Sequence, residues 1–155
     1  MGQLIEASIE IDAPIETVWA TVNDLAVMVE CIDWVHEAWW EDDGPTGRGS
    51  VYAERAKPGS KESIYRWELT EWEPPRRAVH SHASPGIEGD LEVLLEPIAD
   101  GRTRYTQEMR IRALPAFRPL GWLLERTAMK RQMQRDFERM ILPNFKQFAE
   151  RSAAS

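Results

Sequence analysis

The first predicted strand runs directly into a helix, and this junction constrains the fold more than any other feature. Residues 5–11 alternate apolar and polar side chains, the period of a half-buried strand. Residues 14–23 then place apolar side chains three and four positions apart, as an amphipathic helix does. Asp12 is suited to cap this helix, and Pro14 suits its first turn. Residues 25–32 predict a second short helix.

A long amphipathic segment closes the chain. From about residue 117 to Phe148, apolar residues recur at three- and four-residue steps, which predicts a helix. Pro143 lacks an amide proton, and its ring collides with the carbonyl group of Arg139 in a regular helix. We therefore expect a bend near residues 139–142.

Between these helical regions the apolar period returns to two, and turn residues divide it into six further strands. The turns fall at residues 44–49, 58–60, 73–76, 85–89 and 100–101. The sequence therefore predicts an α+β fold. A seven-stranded antiparallel sheet wraps round a long C-terminal helix, and two short helices follow the first strand.

Length and composition favour one globular domain. The chain has 155 residues, of which 43% are hydrophobic and 29% charged. We predict a single domain over residues 1–150 and a frayed tail over 151–155. No apolar run approaches the roughly 18 residues that cross a bilayer, and no signal-peptide pattern is present, so we expect a cytoplasmic location. Cys31 lies among apolar residues and is predicted to be a buried small hydrophobe.

The net charge of -7 is unevenly distributed. Residues 1–100 hold 7 basic and 21 acidic side chains, whereas residues 101–155 hold 12 basic and 5 acidic ones. The acidic body argues against nucleic-acid binding. The basic C-terminal part either docks on anionic lipid or an acidic partner, or is a solvated helix face. The residues expected to form such a cationic stripe are Arg118, Arg126, Lys130, Arg131, Arg135, Arg139 and Lys146.

Charged residues mark the outer face of each predicted strand, because neighbouring side chains point to opposite faces. Residues 77–83 are ambiguous, although His80 and His82 share a face in either case. The residues predicted to face inward are His36, Ala38 and Trp40; Ser50, Tyr52, Glu54 and Ala56; Ser63, Tyr65, Trp67 and Leu69; Leu91, Val93 and Leu95; and Thr103, Tyr105, Gln107, Met109 and Ile111.

Hairpin pairing of these strands predicts specific neighbours: Trp40 opposite Tyr52, Glu54 opposite Tyr65, Trp67 near His82, and His36 diagonal to Glu54. Unpaired polar groups in a filled core cost roughly 1 to 3 kcal/mol each. A wet cavity of ligand size therefore explains the inward polar groups more simply than a packed core does. The alternative is that Glu54 lies near a strand end and reaches solvent.

The order of elements and several motifs resemble the START/birch-pollen-allergen (SRPBCC) superfamily, most closely its bacterial polyketide cyclase/dehydrase branch. The resemblance covers nearly the whole chain. It implies a helix-grip fold with a deep cavity that takes lipids, sterols, polyketides or other hydrophobic molecules. The matching features are residues 11–14 with Val18 and Trp19, residues 23–24, Trp34, and segments 44–49, 73–77, 101–104 and 145–150.

The first functional hypothesis is binding or transport of a hydrophobic, lipid- or polyketide-like small molecule. Aromatic and thioether side chains would form the apolar wall, and polar groups would orient the ligand. The alternative is that the same side chains simply fill a core. The predicted ligand-binding residues are Trp40, Tyr52, Trp67, His80, His82, Tyr105, Gln107, Met109, Met133 and Phe137.

The second hypothesis is an enzyme of the polyketide cyclase, aromatase or dehydratase type. His36 would act as a base that Glu54 orients, and Tyr65, or His82 if it faces inward, would donate a proton. Gln107 would hold a carbonyl oxygen. This chemistry needs no metal, and we expect neither a metal nor another cofactor.

A third hypothesis is a membrane-surface or protein-interaction module. It would use the basic C-terminal helix and the apolar segment 114–122, which places Trp122 close to Arg118. A metal site of His36, His80 and His82 lacks the spacing of known ligand motifs. The sequence leaves open the identity of the ligand and the choice between a monomer and a homodimer.

Overall fold

The computed structural model describes residues 3–58, 60–84, 87–113 and 128–155. Seven antiparallel strands form one sheet in the order β1-β7-β6-β5-β4-β3-β2, which confirms the predicted sheet. The strands are β1 Gln3–Ile11, β2 Val35–Trp40, β3 Val51–Ala56, β4 Ser63–Glu73, β5 Arg77–Ser84, β6 Ile87–Ala99 and β7 Arg102–Ala113.

Two short helices follow β1, as the sequence predicts: α1 Ile15–Val22 and α2 Leu25–Cys31. The Asp24 side chain caps α2 by accepting a hydrogen bond from the Ala26 amide at 2.9 Å. The Cys31 side chain is fully buried, and burial raises the pKa of its thiol to about 12. It therefore behaves as the predicted small hydrophobe.

The predicted capping role of Asp12 is wrong. Pro14 occupies the N-cap position of α1 without a side-chain hydrogen bond, so Asp12 lies outside the first turn. A guanidinium group offers its carboxylate a charged partner instead, and Asp12 Oδ1 accepts a hydrogen bond from Arg102 Nε at 3.0 Å. The Asp12 amide donates to Glu150 Oε1 at 3.0 Å, which joins the end of β1 to the terminal helix.

The terminal helix consists of α3 Ala128–Asp136, a π-helical turn Phe137–Ile141 and α4 Leu142–Ala154. The π-helical turn lies where the sequence predicts a bend. Pro143 follows directly, and because it has no amide proton it cannot donate the next intrahelical hydrogen bond. The helix continues to Ala154, through most of the segment 151–155 that the sequence predicts to be a frayed tail. No helix within the described residues is long and apolar enough to cross a membrane.

The terminal helix lies along β1, which is one edge of the sheet. Gln134 Nε2 donates a hydrogen bond to the Glu6 carbonyl at 2.6 Å, and Lys146 Nζ donates to the Glu10 carbonyl at 2.7 Å. These bonds satisfy backbone groups that an edge strand otherwise leaves exposed. Asn144 Nδ2 also donates to the Cys31 carbonyl at 3.0 Å, which ties the helix to the end of α2.

The hydrophobic core lies on the β1 side of the sheet. The Tyr105 ring packs edge-on against Phe145, with ring centroids 6.1 Å apart. The core therefore forms where the terminal helix, α1 and α2 cover β1, β7 and β6. Its buried members are Ile5, Ala7, Ile11, Ala13, Val18, Val22, Cys31, Val93, Leu95, Tyr105, Phe137, Ile141, Leu142, Phe145 and Ala149.

Thr103 supplies a polar anchor in this core. Its side chain is fully buried, and its hydroxyl donates a hydrogen bond to the Ala13 carbonyl at 2.8 Å. We expect Thr103→Val to lower the free energy of unfolding by about 1–3 kcal/mol, because the carbonyl group is left buried and unpaired. Urea denaturation measures this change. Thr106→Val, on the other face of β7, is the matched control: it removes an accessible hydrogen bond with the Ser8 hydroxyl that water can replace, so it should cost less than Thr103→Val.

Candidate functional site

The inner faces of β2 to β5 bring together aromatic and polar side chains. Trp40 lies opposite Tyr52 in the β2–β3 register, and their rings pack edge-on at 5.5 Å. Glu54 lies opposite Tyr65 in the β3–β4 register. These three strands therefore present the pairs that the sequence predicts. We call Trp40, Tyr52, Glu54, Tyr65, Trp67, His80 and His82 the polar wall.

His82 closes the wall on β5. Its ring lies 5.2 Å from the Trp67 ring, as predicted, and 5.6 Å from the Tyr65 ring. His82 Nδ1 lies 2.8 Å from the Arg66 carbonyl oxygen. A carbonyl group only accepts, so His82 Nδ1 carries the hydrogen. The other ring nitrogen of neutral His82 is then an acceptor.

Several members of the polar wall keep part of their surface accessible. Trp40, Tyr65, Trp67 and His82 are half-buried, whereas Leu69 on the same face of β4 is fully buried. If the interior were completely packed, the side chains on the inner face of the sheet would all be as buried as Leu69. The accessible rings therefore offer an aromatic surface on which a small molecule can pack.

Glu54 is the ionisable centre of the wall. It lies within β3 and not at a strand end, and its side chain is half-buried. Burial raises the pKa of its carboxyl group to about 7, while the hydrogen bond that Trp67 Nε1 donates to Glu54 Oε1 at 3.1 Å acts in the opposite direction. Near neutral pH the group therefore populates both its protonated and its ionised form.

His80 and Tyr52 form a buried pair across the sheet. The Tyr52 hydroxyl lies 2.9 Å from His80 Nδ1, and both side chains are less than a tenth exposed. Burial lowers the pKa of His80 to about 4 and raises the pKa of Tyr52 well above its usual value. Both side chains are therefore uncharged at neutral pH.

The predicted pair of His36 and Glu54 does not form. The register of β2 shifts between Val35 and Glu37, because a bulge at His36 adds one residue to the strand. The prediction that His36 faces the interior is therefore wrong. Its side chain is exposed, and Nδ1 lies 3.0 Å from Glu62 Oε2. Trp67, and not His36, is the hydrogen-bond partner of Glu54.

The predicted ligand contacts on β7 and the terminal helix lie closer to the core. Tyr105 and Phe137 are fully buried core members, so a bound molecule would reach them only by displacing their neighbours. The side-chain amide of Gln107 is buried, and its Oε1 accepts a hydrogen bond from the Tyr105 hydroxyl. Gln107 Oε1 therefore already has a partner within the protein. Met109 and Met133 are half-buried at the margin of the core.

A depression of about 450 Å³ opens mainly on the outer face of the sheet, and Trp67 and His82 of the polar wall also contribute to its lining. Its charged walls pair with one another: Arg112 lies 3.4 Å from Asp90 and 3.7 Å from Glu88. The Ser81 hydroxyl also donates to Asp90 at 2.7 Å. These paired groups suit a solvated surface, and the polar wall remains the better candidate for an apolar ligand.

Within the described ranges, no three His, Cys, Asp or Glu side chains are grouped so that they could hold a metal ion. His36 contacts Glu62, whereas His80 contacts Tyr52 and His82 contacts Arg66, so the three histidines have separate partners. The basic residues Arg118 and Arg126 and the segment 114–122 lie outside the described residues.

The family model for polyketide cyclase / dehydrase and lipid transport matches residues 3–150. No curated protein matches the sequence significantly. A solved structure from Thermus thermophilus is 19% identical, with a TM-score of 0.75, and the match covers 97% of this chain and 99% of that one.

Two enzymes of known structure share the fold. The Zhui aromatase/cyclase of Streptomyces sp. R1128 is 14% identical, with a TM-score of 0.72 and coverage of 97% of this chain and 95% of that one. Norcoclaurine synthase of Thalictrum flavum, solved with dopamine and hydroxybenzaldehyde, is 11% identical, with a TM-score of 0.66 and coverage of 99% and 87%. At these identities the likeness shows the fold alone.

The raised pKa of Glu54 predicts a pH-dependent stability difference between the wild type and Glu54→Gln. In the unfolded chain the carboxyl group ionises near pH 4.5, but in the folded chain it ionises only near pH 7. Ionisation therefore destabilises the fold as pH rises from about 4.5 to 7, and glutamine, which resembles the protonated acid, avoids this loss. The variant should gain on the order of 2–3 kcal/mol relative to the wild type across this range.

Urea denaturation at a series of pH values measures the difference. Other ionisable groups, including His80, are common to both proteins and cancel. Glu68→Gln, at an exposed position on the outer face of β4, is the control: it removes one negative charge without changing a buried group. If the free energies of unfolding of Glu54→Gln and the wild type differ by the same amount at every pH from 4.5 to 7, the raised pKa of Glu54 is wrong.

Proposed function

Because this chain belongs to the polyketide cyclase/dehydrase and lipid transport family, we propose that it binds a hydrophobic small molecule against the polar wall, between β2–β5 and the terminal helix. The resemblance found in the sequence motifs is confirmed by this family match. The family supports the binding of hydrophobic ligands and includes cyclising enzymes, so membership by itself favours neither transport nor catalysis.

One observation carries the proposal: the rings of Trp40, Tyr65 and Trp67 remain partly accessible on the inner face of the sheet, outside the hydrophobic core. Trp40, Tyr65 and Trp67 would pack against the apolar surface of the ligand. Glu54 would hydrogen-bond a polar group of the ligand as an acceptor when ionised and as a donor when protonated. Met109 and Met133 would adapt to irregular ligand shapes at the core margin.

Native mass spectrometry of the protein purified from cells, followed by organic extraction, tests whether an apolar molecule accompanies it. We expect an extra mass that extraction removes. The extracted protein should then bind 1-aminoanthracene, a probe whose fluorescence rises in apolar surroundings. If the purified protein carries no extra mass and the extracted protein leaves the probe fluorescence unchanged, the proposal is wrong.

A pair of tryptophan variants locates the binding surface. Trp40 faces the inner side of β2, whereas the adjacent Trp39 faces the other side opposite Ala53. We expect Trp40→Ala to weaken 1-aminoanthracene binding about tenfold to a hundredfold, because a large aromatic contact is lost. Trp39→Ala removes the same side chain from the other face and should leave the affinity within about twofold. Equal effects of the two changes would contradict binding at the polar wall.

Glu54 supports a second candidate, a dehydratase or cyclase. A carboxyl group with a pKa of about 7 exchanges protons efficiently at neutral pH. Ionised Glu54 would remove a proton from the carbon next to a ketone and leave an enolate. The carboxylic acid formed would then protonate the β-hydroxyl group, which leaves as water while the carbon–carbon double bond forms. Tyr65, opposite Glu54 in the register, would donate a hydrogen bond to the enolate oxygen.

The substrate 4-hydroxy-4-phenylbutan-2-one tests this reaction, because loss of water gives a conjugated enone with strong ultraviolet absorption. If the protein is a dehydratase, we expect kcat/KM to fall as the pH drops below about 7, where Glu54 becomes protonated. Glu54→Gln should lower kcat by about 10²- to 10⁴-fold. Glu68→Gln should leave it unchanged. Absence of turnover by the wild type, or full activity of Glu54→Gln, would contradict the catalytic role.

The third hypothesis gains no specific support. Lys130, Arg131 and Arg135 are exposed on α3, and Arg139 is exposed on the π-helical turn. Exposure alone is equally expected of a solvated helix face, so we propose no membrane function. The cytoplasmic location, the single domain and the choice between monomer and homodimer stay predictions from the sequence.

A further inference from the structure

One buried polar atom in the polar wall lacks a partner. His80 Nε2 has no hydrogen bond within the described part of the chain, and the side chain is 8% exposed. Buried polar groups in folded proteins are almost always hydrogen-bonded, since an unpaired one costs free energy. Nε2 has almost no accessible surface of its own, so a bound molecule that displaces the neighbouring side chains would supply the missing partner at this position.

The Tyr52 hydroxyl determines which kind of partner fits. If Tyr52 donates to His80 Nδ1, the ring hydrogen lies on Nε2, and one group remains unpaired. If His80 Nδ1 donates to Tyr52, both the tyrosine hydrogen and the Nε2 lone pair remain unpaired in a buried position. The first arrangement leaves fewer unsatisfied groups, so His80 presents an N–H donor at Nε2.

The surroundings of His80 exclude a charged partner. Among the described residues of β2 to β5, no lysine or arginine faces inward with the polar wall, and Glu54 adds a carboxyl group there. An anionic acceptor would be desolvated without a cation to balance it. The register partners of His80 are Leu69 and Leu91, and both are apolar. A neutral acceptor attached to an apolar skeleton fits this position best.

We propose that His80 Nε2–H donates a hydrogen bond to a carbonyl oxygen of the ligand, so that the site selects aromatic ketones or quinones over hydrocarbons of the same shape. This inference rests on the proposed function, because it assigns the ligand class of the same inner face. Tyr52 is a positioning residue here: its hydroxyl holds His80 in the tautomer that carries the hydrogen on Nε2.

A matched ligand pair tests the proposal. Fluorene and 9-fluorenone share one tricyclic skeleton, and only fluorenone carries a carbonyl oxygen. Equilibrium dialysis with the extracted protein should give an affinity for fluorenone about five- to tenfold higher than for fluorene, the effect of one neutral hydrogen bond. In His80→Phe the ratio should fall to about one while fluorene binding is retained. Ser81→Ala, the next residue on the outer face of β5, should keep the wild-type ratio.

A second measurement does not depend on whether His80→Phe folds. Long-range proton–nitrogen correlation NMR of the wild-type protein at pH 7 distinguishes the protonated from the unprotonated nitrogen of each imidazole ring. We expect hydrogen on Nε2 of His80, and a shift toward the Nδ1–H form in Tyr52→Phe, with a reduced preference for fluorenone.

The outcomes separate the two proposals. If neither fluorene nor fluorenone binds, the proposed hydrophobic binding function fails. If both bind with equal affinity to the wild type, hydrophobic binding stands and the carbonyl contact to His80 is wrong. Hydrogen on Nδ1 of His80 in the wild type would also overturn the inference, because Nε2 would then have no proton to donate.

Discussion

The position of the terminal helix along β1 is the constraint on which the other features depend. Gln134 and Lys146 bind the edge carbonyls of β1, and Ile141 and Phe145 pack into the core of β1, β6 and β7. The helix therefore seals the apolar half of the inner face. The remaining half, on β2 to β5, carries the polar wall, in which four rings keep part of their surface accessible: those of Trp40, Tyr65, Trp67 and His82. One sheet thus supports both a solid core and a binding surface.

Burial of the polar wall gives its groups an unusual electrostatic state. Glu54 is held partly protonated near neutral pH, and His80 is held uncharged by the same desolvation. Uncharged side chains hold both groups in place: Trp67 hydrogen-bonds Glu54, and Tyr52 hydrogen-bonds His80. Neither bond is an ion pair. An apolar molecule with one or two neutral polar groups matches such a surface, because it brings no charge that would need solvation.

Much of the wall was predictable because charged residues mark the outer face of each strand. That alternation correctly placed Trp40 opposite Tyr52 and Glu54 opposite Tyr65. The same alternation gave the wrong face for His36, because the bulge in β2 inserts one residue and no residue type in the sequence marks its position. The Tyr52–His80 bond was also missed: it spans two strand pairings, whereas sequence reasoning pairs only adjacent strands. Asp12 was misassigned because local capping preference does not reveal the distant Arg102.

We propose above that a ligand packs on the inner face of β2 to β5. Intermolecular nuclear Overhauser effects with bound 9-fluorenone test it most directly. We expect contacts from the ligand protons to the rings of Trp40, Tyr65 and Trp67, and none to the core rings of Tyr105 and Phe137. Contacts confined to the outer face of the sheet, with the ring protons of the polar wall unchanged by the ligand, would contradict it.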